Sequence, residues 1–459
     1  MYQIDFNHPV HAYFIGIGGI SMSGLAEILL ESGFHISGSD TRESPLTKAL
    51  IEKGASIKYG QRAENMTPDM DVVIYTAAIK NTNPEMQAAD QYHIPKLTRA
   101  ELLGQIMRKY DTPIAISGTH GKTTTTSLVS DILLQGNMDP TLSIGGILKT
   151  IGGNFRMGRS GCFVTEACEY TNSFLSFFPK ISIILNIEED HLDFFKDIYD
   201  IRDSFHQFAR LLPADGTLII NGDIDHLDEL ISDLPCNVIT FGTSADCDYS
   251  ADGITYDELA RPTYQLLRHG KEAESITLGV PGRHNVYNSL AAIALAELLH
   301  VGMSTIKSAL LTFAGTDRRF ELKGKIGGVT IIDDYAHHPT EITATLTAAK
   351  NYPHKTTWCV FQPHTFTRTK AFMTDFAKAL SLADKVVLAD IYPARETDNL
   401  GISSRTLQAE IEKLGRDCYY FPSFDEIENF LLENCINGDL LITMGAGDVV
   451  KIGEKILGI

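Results

Sequence analysis

Short apolar runs alternate with helix-length amphipathic segments along nearly the whole chain, and this alternation is typical of parallel α/β sheets. Nine of the runs are predicted to be strands, at positions 11–17, 71–78, 113–118, 162–167, 181–187, 329–336, 356–363, 385–392 and 439–447. Strand-to-helix turns open after about residues 15, 117 and 332. We therefore predict three α/β domains, with the bounds 1–109, 110–319 and 320–459.

The turn after the first predicted strand, GIGGISMSG, has most of a dinucleotide-binding fingerprint. That fingerprint is G-x-G-x-x-G, followed about 20 positions later by an acid that binds a ribose hydroxyl. Asp40 stands at about this distance, but the third glycine is displaced to Gly24. The helix N-terminus still offers amides for a diphosphate, those of Gly18, Gly19 and Ile20. These residues leave an NAD ligand and a UDP-type ligand as open alternatives.

The segment GTHGKTTTT, residues 118–126, follows an apolar run and is predicted to bind phosphate. A Walker loop is G-x-x-x-x-G-K-[ST], whereas the first glycine here is Gly118 and the loop is two residues shorter. Its physical features are preserved, because glycines let amides turn towards a phosphate and the following helix dipole favours negative charge. Lys122 can reach the β- and γ-phosphates of a nucleotide, and Thr123 can place a hydroxyl on Mg²⁺.

Further candidates lie at the ends of later strands in the central domain. Glu166 ends the run CFVTEA, and Asp190 and His191 follow the run ISIILNI. Open α/β sheets place ligand-binding residues at these carboxyl ends, and a carboxylate is a suitable Mg²⁺ ligand. Asn285 and Asn288 precede an alanine-rich helix and can hydrogen-bond a base, although a helix start alone also explains their segment.

The composition narrows the class of protein. The formal charge of −19 argues against nucleic acid as the main partner, because phosphate-backbone binding needs a basic surface. No apolar run approaches the roughly 20 residues that span a bilayer, and the N-terminus has no signal-peptide pattern. The seven cysteines are scattered without a C-x-x-C pair, which favours a reducing compartment. A cytoplasmic enzyme without a membrane or nucleic-acid partner is therefore expected.

Taken together, the motifs resemble those of the Mur ligase family, ATP-dependent amide-forming enzymes of peptidoglycan assembly. The resemblance covers essentially the whole chain and is carried by the segments GIGGISMSGLAEIL, GTHGKTTTT, EACEYTNSFL, NIEEDHLDFF, GRHNVYN, DDYAHHPTEI and FQPHTFTRT. It implies a Rossmann-like UDP-binding domain, a central P-loop-type ATP-binding domain and a Rossmann-like C-terminal domain that binds the amino acid. It also implies that the first turn binds UDP rather than NAD.

The resemblance implies roles for single residues. The ATP site would consist of Gly118, Thr119, His120, Gly121, Lys122, Thr123, Thr124, Asn285 and Asp334. The Mg²⁺ site would consist of Thr123, Glu166 and His191. The UDP portion of the substrate would contact Gly18, Gly19, Ile20, Ser39 and Asp40. In the C-terminal domain, His337 and Arg368 would orient L-alanine, and Arg319 would approach the γ-phosphate from the hinge.

The implied reaction joins L-alanine to the lactyl carboxylate of UDP-N-acetylmuramate, with ATP and Mg²⁺ as cofactors and a monomer or homodimer as the working unit. An acyl phosphate would form first, and the amine of alanine would attack it. The expected catalytic residues are Lys122, Glu166, His191, Arg319 and His337. His337 is the candidate base, because a histidine pKa of about 6.5 suits proton transfer at neutral pH, and His338 is the alternative. The third domain is expected to close over the other two, since an acyl phosphate hydrolyses in water.

Two positions depart from the family pattern. Relatives often carry an arginine where this chain has Thr365, so the alanine carboxylate would rest on Arg368 with less help. Some relatives carry a carbamylated lysine where this chain has His206, so that modification is not expected. The alternatives are an NAD-dependent oxidoreductase, a P-loop ATPase without synthetic activity, and a recycling ligase that attaches a preformed tripeptide to the same UDP sugar.

Overall fold

The computed structural model describes residues 2–76, 78–244, 246–394 and 396–459. These residues form three separate sheets, one after another along the chain, with helices packed against each sheet. None of the helices in these ranges is long and apolar enough to cross a membrane.

The first sheet is fully parallel. Its strands are β1 (His11–Ile15), β2 (His35–Asp40), β3 (Ser56–Tyr59), β4 (Val72–Tyr75) and β5 (Lys96–Thr98). Its helices are α1 (Ile20–Glu31), α2 (Pro45–Glu52), α3 (Pro84–Gln91) and α4 (Arg99–Met107), with a 3₁₀ turn at Ala63–Asn65. The strand order is β3-β2-β1-β4-β5, so the order reverses beside β1. Open α/β sheets bind ligands at the carboxyl ends of the strands at such a reversal, which is where the glycine-rich turn lies.

The second sheet has ten strands. They are β6 (Thr112–Ser117), β7 (Thr141–Leu148), β8 (Gly153–Arg156), β9 (Cys162–Glu166), β10 (Ile181–Ile184), β11 (Thr217–Asn221), β12 (Asn237–Gly242), β13 (Tyr249–Tyr256), β14 (Pro262–Arg268) and β15 (Lys271–Thr277). Its helices are α5 (Lys122–Gln135), α6 (Ile198–Ala209), α7 (Leu227–Ile231), α8 (His284–Leu298) and α9 (Met303–Thr312), with 3₁₀ segments at Lys149–Ile151 and Tyr170–Ser176.

The order of the second sheet is β15-β14-β13-β12-β11-β10-β6-β9-β7-β8. β6 pairs in parallel with both β9 and β10. The loop after β6, the end of β9 and the segment after β10 therefore meet at one edge of the sheet.

The third sheet has one antiparallel edge strand. Its strands are β16 (Glu321–Ile326), β17 (Val329–Asp334), β18 (Thr357–Phe361), β19 (Lys385–Leu388), β20 (Asp417–Tyr420) and β21 (Leu440–Met444). Its helices are α10 (Pro339–Ala349), α11 (Phe366–Ala371), α12 (Met373–Leu380), α13 (Ser404–Lys413), α14 (Phe424–Asn434) and α15 (Val450–Leu457). The order is β16-β17-β21-β18-β19-β20, with β16 antiparallel to β17.

The first two sheets share one apolar core, whereas the third has cores of its own. The shared core includes Phe14 beneath the first sheet and Phe205 on α6. Helix α1 also packs directly on β8, because a Cβ at Gly24 would lie 3.1 Å from the Phe155 ring. The glycine that is displaced from the fingerprint is therefore a packing contact between two domains.

The three-domain α/β class is confirmed, and each of the nine predicted strands overlaps an observed strand. The prediction for 71–78 includes Ala77, which lies outside the described residues. Sequence analysis missed β3, β5, β7, β8, β11 to β16 and β20; among these, segments such as KEAESIT and ELKGKI are largely polar and half-exposed. The domain bounds remain predictions.

Candidate active site

The loop between β6 and α5 contains two glycines whose backbone is left-handed. Gly118 has φ +143° and Gly121 has φ +83°, a region that favours glycine. Added Cβ atoms would lie 2.9 Å from Leu185 Cβ and 2.7 Å from Asn288 Oδ1. Glycine is therefore required at both positions. A loop whose backbone wraps around a phosphate needs glycine at such turns.

Lys122, the first residue of α5, is paired with a buried carboxylate. Its Nζ lies 3.1 and 2.9 Å from the two carboxylate oxygens of Glu169, and it donates to the Thr119 carbonyl at 3.0 Å. Burial lowers the pKa of Lys122, but Glu169 outweighs that effect and the pKa is raised. Lys122 therefore holds a firm positive charge beside the loop.

Glu169 is a site residue that sequence analysis missed. It is 2% exposed and lies three positions after Glu166 in the segment EACEYTNSFL. The chain turns sharply just beyond it, because Thr171 and Asn172 both have left-handed backbone, with φ +54° and +56°. The presence of an acidic residue in the segment EACEYTNSFL was the available signal in the sequence. The direction in which the Glu169 side chain points depends, however, on this turn.

Glu166, at the end of β9, forms a second polar group with Thr123. The Thr123 hydroxyl donates to one carboxylate oxygen at 3.1 Å, and the Gly145 amide donates to the other at 2.5 Å. A Cβ on Gly145 would lie 2.6 Å from the carboxylate, so only glycine fits there. Burial raises the pKa of Glu166, against the opposing effects of the Gly145 amide and Lys122. The hydroxyl and carboxylate oxygens are hard donors of the kind that Mg²⁺ prefers, so this pair fits that ion.

His191 joins the predicted metal group only indirectly. Its Nε2 lies 3.8 Å from a Glu169 oxygen and 3.9 Å from an Asp190 oxygen. Among the contacts of the described residues, none links His191 to Thr123 or Glu166. Burial lowers the pKa of His191, so the ring is neutral at pH 7. The structure thus brings two of the three predicted metal ligands together and connects the third through Glu169.

A cavity of about 710 Å³ opens beside the loop, between the second and third sheets. Its volume suits a small-molecule or cofactor site. Six of the predicted ATP-site and catalytic residues line it, namely His120, Gly121, Thr124, Asn285, Arg319 and Asp334.

Two residues that line this cavity are already well bonded. Asp334 accepts hydrogen bonds from the amides of Ala336 and Phe320, at 2.8 and 2.9 Å, and from the Thr345 hydroxyl at 3.0 Å. Burial raises the pKa of Asp334 to about 6. Asn285 donates to the Pro281 carbonyl at 2.7 Å. Much of their bonding capacity therefore supports the walls of the cavity.

His120, in the phosphate loop, bridges the second and third domains. Its ring nitrogens lie 3.5 Å from Glu188 and 3.4 Å from Glu341, and its ring packs on His338 with centroids 4.6 Å apart. Burial lowers the pKa of His120, but the two carboxylates raise it to about 9. Ligand atoms of His120, Glu188 and His338 lie within 4.8 Å of one another, as in a loose metal site. A proton held between carboxylates opposes metal binding there, so this group is better described as an interdomain ion cluster.

His337 does not have the pKa expected of a general base. Burial lowers its pKa to about 3, well below the ordinary value of about 6.5. Its Nδ1 lies 3.1 Å from the Tyr335 carbonyl and 3.3 Å from Glu341. The role of His337 as the base that deprotonates the amine stays a prediction; its ring is neutral at pH 7 and lies beside Glu341. The alternative, His338, has a lowered pKa from burial and caps α10.

A second cavity, of about 320 Å³, lies where α11 faces the segment after β10. Arg368 lines it and binds one oxygen of Asp190 through Nε at 3.0 Å and Nη2 at 2.8 Å. Thr365 caps the N-terminus of α11 and has a left-handed backbone, with φ +65°. Glu396 lines the same cavity and accepts from the Thr367 amide at 3.2 Å. Among the described residues, Arg368 thus lies between the acidic groups Asp190 and Glu396 in this cavity, a suitable setting for an amino acid.

The predicted UDP residues surround the turn after β1. Asp40 accepts from the Gly18 amide at 2.8 Å, which places its carboxylate at the start of α1 near Gly19 and Ile20. The Ser39 side chain is buried, and its hydroxyl donates to Glu85 at 2.6 Å. The Ser39 hydroxyl thus faces the interior, and the role of Ser39 as a ligand contact stays a prediction. His206, at the position of the carbamylated lysine in some relatives, bonds Asp233 at 2.8 Å.

Lowering the pH from 7 to 5 is expected to reduce the free energy of unfolding. Burial lowers the pKa of His337 to about 3 and that of His364 to about 4, whereas both titrate at about 6.5 in an unfolded chain. Their contribution is fully present above about pH 6.5 and is lost as the pH falls, because only the unfolded chain takes up the protons. The slope should approach about 1.4 kcal/mol per pH unit for each ring. Urea unfolding at pH 7, 6 and 5 measures it, and a slope that His364→Asn leaves unchanged would contradict the assignment.

Three family models match consecutive stretches of the chain. The model described as Mur ligase family, catalytic domain matches residues 11–111. The model of the Mur ligase middle domain matches residues 116–296, and the model described as Mur ligase, glutamate ligase domain matches residues 318–447.

Similar proteins match over the full length. The chain is 62% identical to a UDP-N-acetylmuramate–L-alanine ligase of Lachnospira eligens and 58% identical to that of Lachnoclostridium phytofermentans, with 100% of each chain covered. The crystal structure of the UDP-N-acetylmuramate-alanine ligase of Thermotoga maritima matches with TM-score 0.82 at 30% identity, over 98% of both chains. A murein peptide ligase of Psychrobacter arcticus matches with TM-score 0.72 at 25% identity, also over 98% of both chains.

Proposed function

This chain belongs to the Mur ligase family, and we propose that it is an ATP-dependent, ADP-forming ligase that joins L-alanine to UDP-N-acetylmuramate in peptidoglycan precursor synthesis. The observation that carries the proposal is the full-length identity of 62% with a relative of that activity. The oxidoreductase alternative leaves the phosphate loop without a purpose. Among solved structures, a murein peptide ligase matches at 25% identity and TM-score 0.72, against 30% and 0.82 for an alanine ligase, which favours the alanine reaction over the tripeptide-ligase alternative.

The ATP site is proposed to lie in the larger cavity, with the terminal phosphates on the loop. Lys122 supplies positive charge from the start of α5, and Arg319 supplies it from the hinge, where it lines the cavity wall. Arg319 lies 4.0 Å from Glu341 and packs over the Tyr335 ring at 5.1 Å, which holds it in place. Such charges stabilise the phosphoryl group as it is transferred.

Mg²⁺ is proposed to bind between Thr123 and Glu166, with His191 and Glu169 nearby. The ion would neutralise charge on the phosphates during transfer. Glu169 holds Lys122, so the lysine lies beside the same group. We propose that Lys122 exchanges part of this pairing for phosphate oxygens when ATP binds.

The chemistry runs in two steps. A lactyl carboxylate oxygen attacks the γ-phosphorus of ATP, the bond to the bridging oxygen breaks, and ADP leaves. The neutral amine of L-alanine then attacks the acyl carbon, and inorganic phosphate leaves with the bonding electrons. The amine proton passes to phosphate or solvent, since His337 is too weak a base to hold it at pH 7.

L-Alanine is proposed to bind in the smaller cavity, with its carboxylate on Arg368. The Arg368→Lys variant is expected to raise KM for L-alanine about tenfold or more, because a lysine cannot reproduce a bidentate contact, and to leave KM for ATP unchanged. Initial rates at varied L-alanine measure this effect. The control is Lys370→Arg, an exposed position on the same helix. Equal rises in both KM values would instead indicate a loss of domain docking through Asp190.

The deciding experiment measures phosphate release from ATP in the presence of Mg²⁺ and UDP-N-acetylmuramate. Three reactions are compared, one with L-alanine, one with a tripeptide and one with no amino acid. Release that needs both the sugar nucleotide and L-alanine is expected. Release with the tripeptide alone would assign the recycling reaction, and release without either substrate would leave a simple ATPase.

A further inference from the structure

Arg99 stands at the N-terminal end of α4, directly after β5. Its position is fixed by a capping box, in which the Glu101 amide donates to the Thr98 hydroxyl at 3.2 Å and the Thr98 amide donates to the Glu101 carboxylate at 2.7 Å. β5 runs parallel to β4, and β4 to β1, so Arg99 and the glycine-rich turn lie at the same edge of the first sheet. This is the edge at which open α/β sheets bind ligands.

Helix α4 packs along the segment of the second domain that follows Glu166. A Cβ at Gly104 would lie 1.9 Å from the Ser176 carbonyl oxygen, so the two backbones touch. One turn further on, the Arg108 guanidinium lies 3.6 Å above the Phe178 ring. The helix and the segment therefore advance in the same direction, and the start of the helix faces the start of the segment.

Arg99 is a partly buried cation without an ion-pair partner. Within the described ranges, no group accepts a hydrogen bond from its guanidinium and no carboxylate forms an ion pair with it; the groups that act on its pKa are Cys168, a buried thiol, and Glu166. Burial lowers its pKa, and these two neighbours offset only part of that effect. Buried charges are normally paired, because an unpaired one loses its hydration without compensation. Arg318, which bonds Asp333 and two backbone carbonyls, shows the usual arrangement in this chain.

Glu166 is not the missing anionic partner of Arg99, because its carboxylate already accepts hydrogen bonds from Thr123 and Gly145. An anion is thus expected between Arg99 and the phosphate loop. The proposed substrates offer three anionic groups. The ATP phosphates belong to the loop, and the UDP diphosphate belongs to the start of α1, which leaves the lactyl carboxylate.

We propose that Arg99 binds the lactyl carboxylate of UDP-N-acetylmuramate and holds it beside the γ-phosphate of ATP. This inference rests on the proposed function. The carboxylate must lie between the first domain, which holds the nucleotide sugar, and Lys122, which holds the phosphate it attacks. A bidentate guanidinium fixes the direction of a carboxylate, and its charge reduces the repulsion between two anions that must approach.

The test compares two ligands that differ only in the lactyl group. Full-length protein with Mg²⁺ and a non-hydrolysable ATP analogue is titrated calorimetrically with UDP-N-acetylmuramate and with UDP-N-acetylglucosamine, which lacks the lactyl ether. Arg99→Ala is expected to weaken binding of the first ligand about 10- to 100-fold and to change binding of the second less than about twofold. Arg99→Lys should lose part of the preference for UDP-N-acetylmuramate over UDP-N-acetylglucosamine. The matched control is Arg108→Ala, on the same helix and the same interface, which should change neither affinity.

Three results would overturn the inference: equal weakening of both ligands, no weakening of UDP-N-acetylmuramate, or a wild-type protein that does not distinguish the two. Unchanged affinity of each variant for the ATP analogue shows that it is folded. If Arg99→Ala does not fold, the lysine variant decides, and an undiminished preference in it counts against the inference. Failure of the proposed function is separate, because the wild-type protein would then not release phosphate with UDP-N-acetylmuramate and L-alanine.

Discussion

Replacement of Lys122 by methionine is expected to lower kcat/KM about 10³-fold or more, because the loop would lose the cation nearest to the transferred phosphoryl group. Methionine keeps the length of the side chain and removes its charge. The change also leaves Glu169, 2% exposed, as a buried carboxylate without its main partner. Loss of one partner from such a pair costs about 3 kcal/mol or more of unfolding free energy. Steady-state kinetics and urea unfolding on the same protein measure the two effects.

A double variant separates these effects. Lys122→Met with Glu169→Gln removes the uncompensated charge, so much of the lost stability should return while the activity stays low. Lys149→Met, an exposed lysine in the same domain, is the control for the loss of a positive charge. Recovery of activity together with stability would show that Lys122 has a structural role only.

Replacement of Glu166 by glutamine is expected to lower kcat about 10²-fold and to raise the Mg²⁺ concentration needed for half-maximal rate. An amide is a weaker ligand for Mg²⁺ than a carboxylate, and metal-ion stabilisation of a phosphoryl transfer amounts to several kcal/mol. The amide nitrogen would also face the donor groups of Gly145 and Thr123. Initial rates over a wide range of Mg²⁺ at saturating ATP give both numbers.

Glu297→Gln is the matched control for this prediction. Glu297 is also a partly buried acid of the second domain, bonded to Tyr249 at 2.8 Å and to Arg268 at 3.0 Å. Its loss should lower stability and leave the Mg²⁺ dependence unchanged. A Glu166→Gln protein with the wild-type Mg²⁺ dependence would remove Glu166 from the metal site.

The sequence was sufficient for the parts of the fold and site that depend on local chemistry. The glycines of the loop and the apolar strands were predicted because left-handed turns and buried strands restrict the residue types. The role of Ser39 stays a prediction: its hydroxyl bonds the buried Glu85, and position along a strand alone does not show which side chains face the ligand edge. Gly24 was judged against a fingerprint, whereas its contact is with Phe155 in another domain.

The parts that sequence reasoning missed depend on how domains dock. Glu341 lies about 220 positions after His120 in the chain, yet together with Glu188 it raises the pKa of that ring. No periodicity reports such a contact. The pKa of His337 was likewise out of reach, because burial between two domains lowers it to about 3. The motifs therefore indicated which residues lie near the site. They did not indicate the protonation states of histidines such as His120 and His337.

The two interfaces between consecutive domains differ in their packing, and this difference has a consequence for inhibitor design. The first two domains share apolar packing, whereas the third is joined to the second through polar contacts such as the Arg368–Asp190 pair and the bond from Thr340 to Glu188. A compound that spans the first interface meets a surface that is already ordered, so little conformational entropy is lost on binding. A compound that spans the second must also hold two bodies together. High affinity should therefore be easier to obtain at the interface between the first and second domains. Selectivity for the closed arrangement of domains should be easier to obtain at the interface between the second and third.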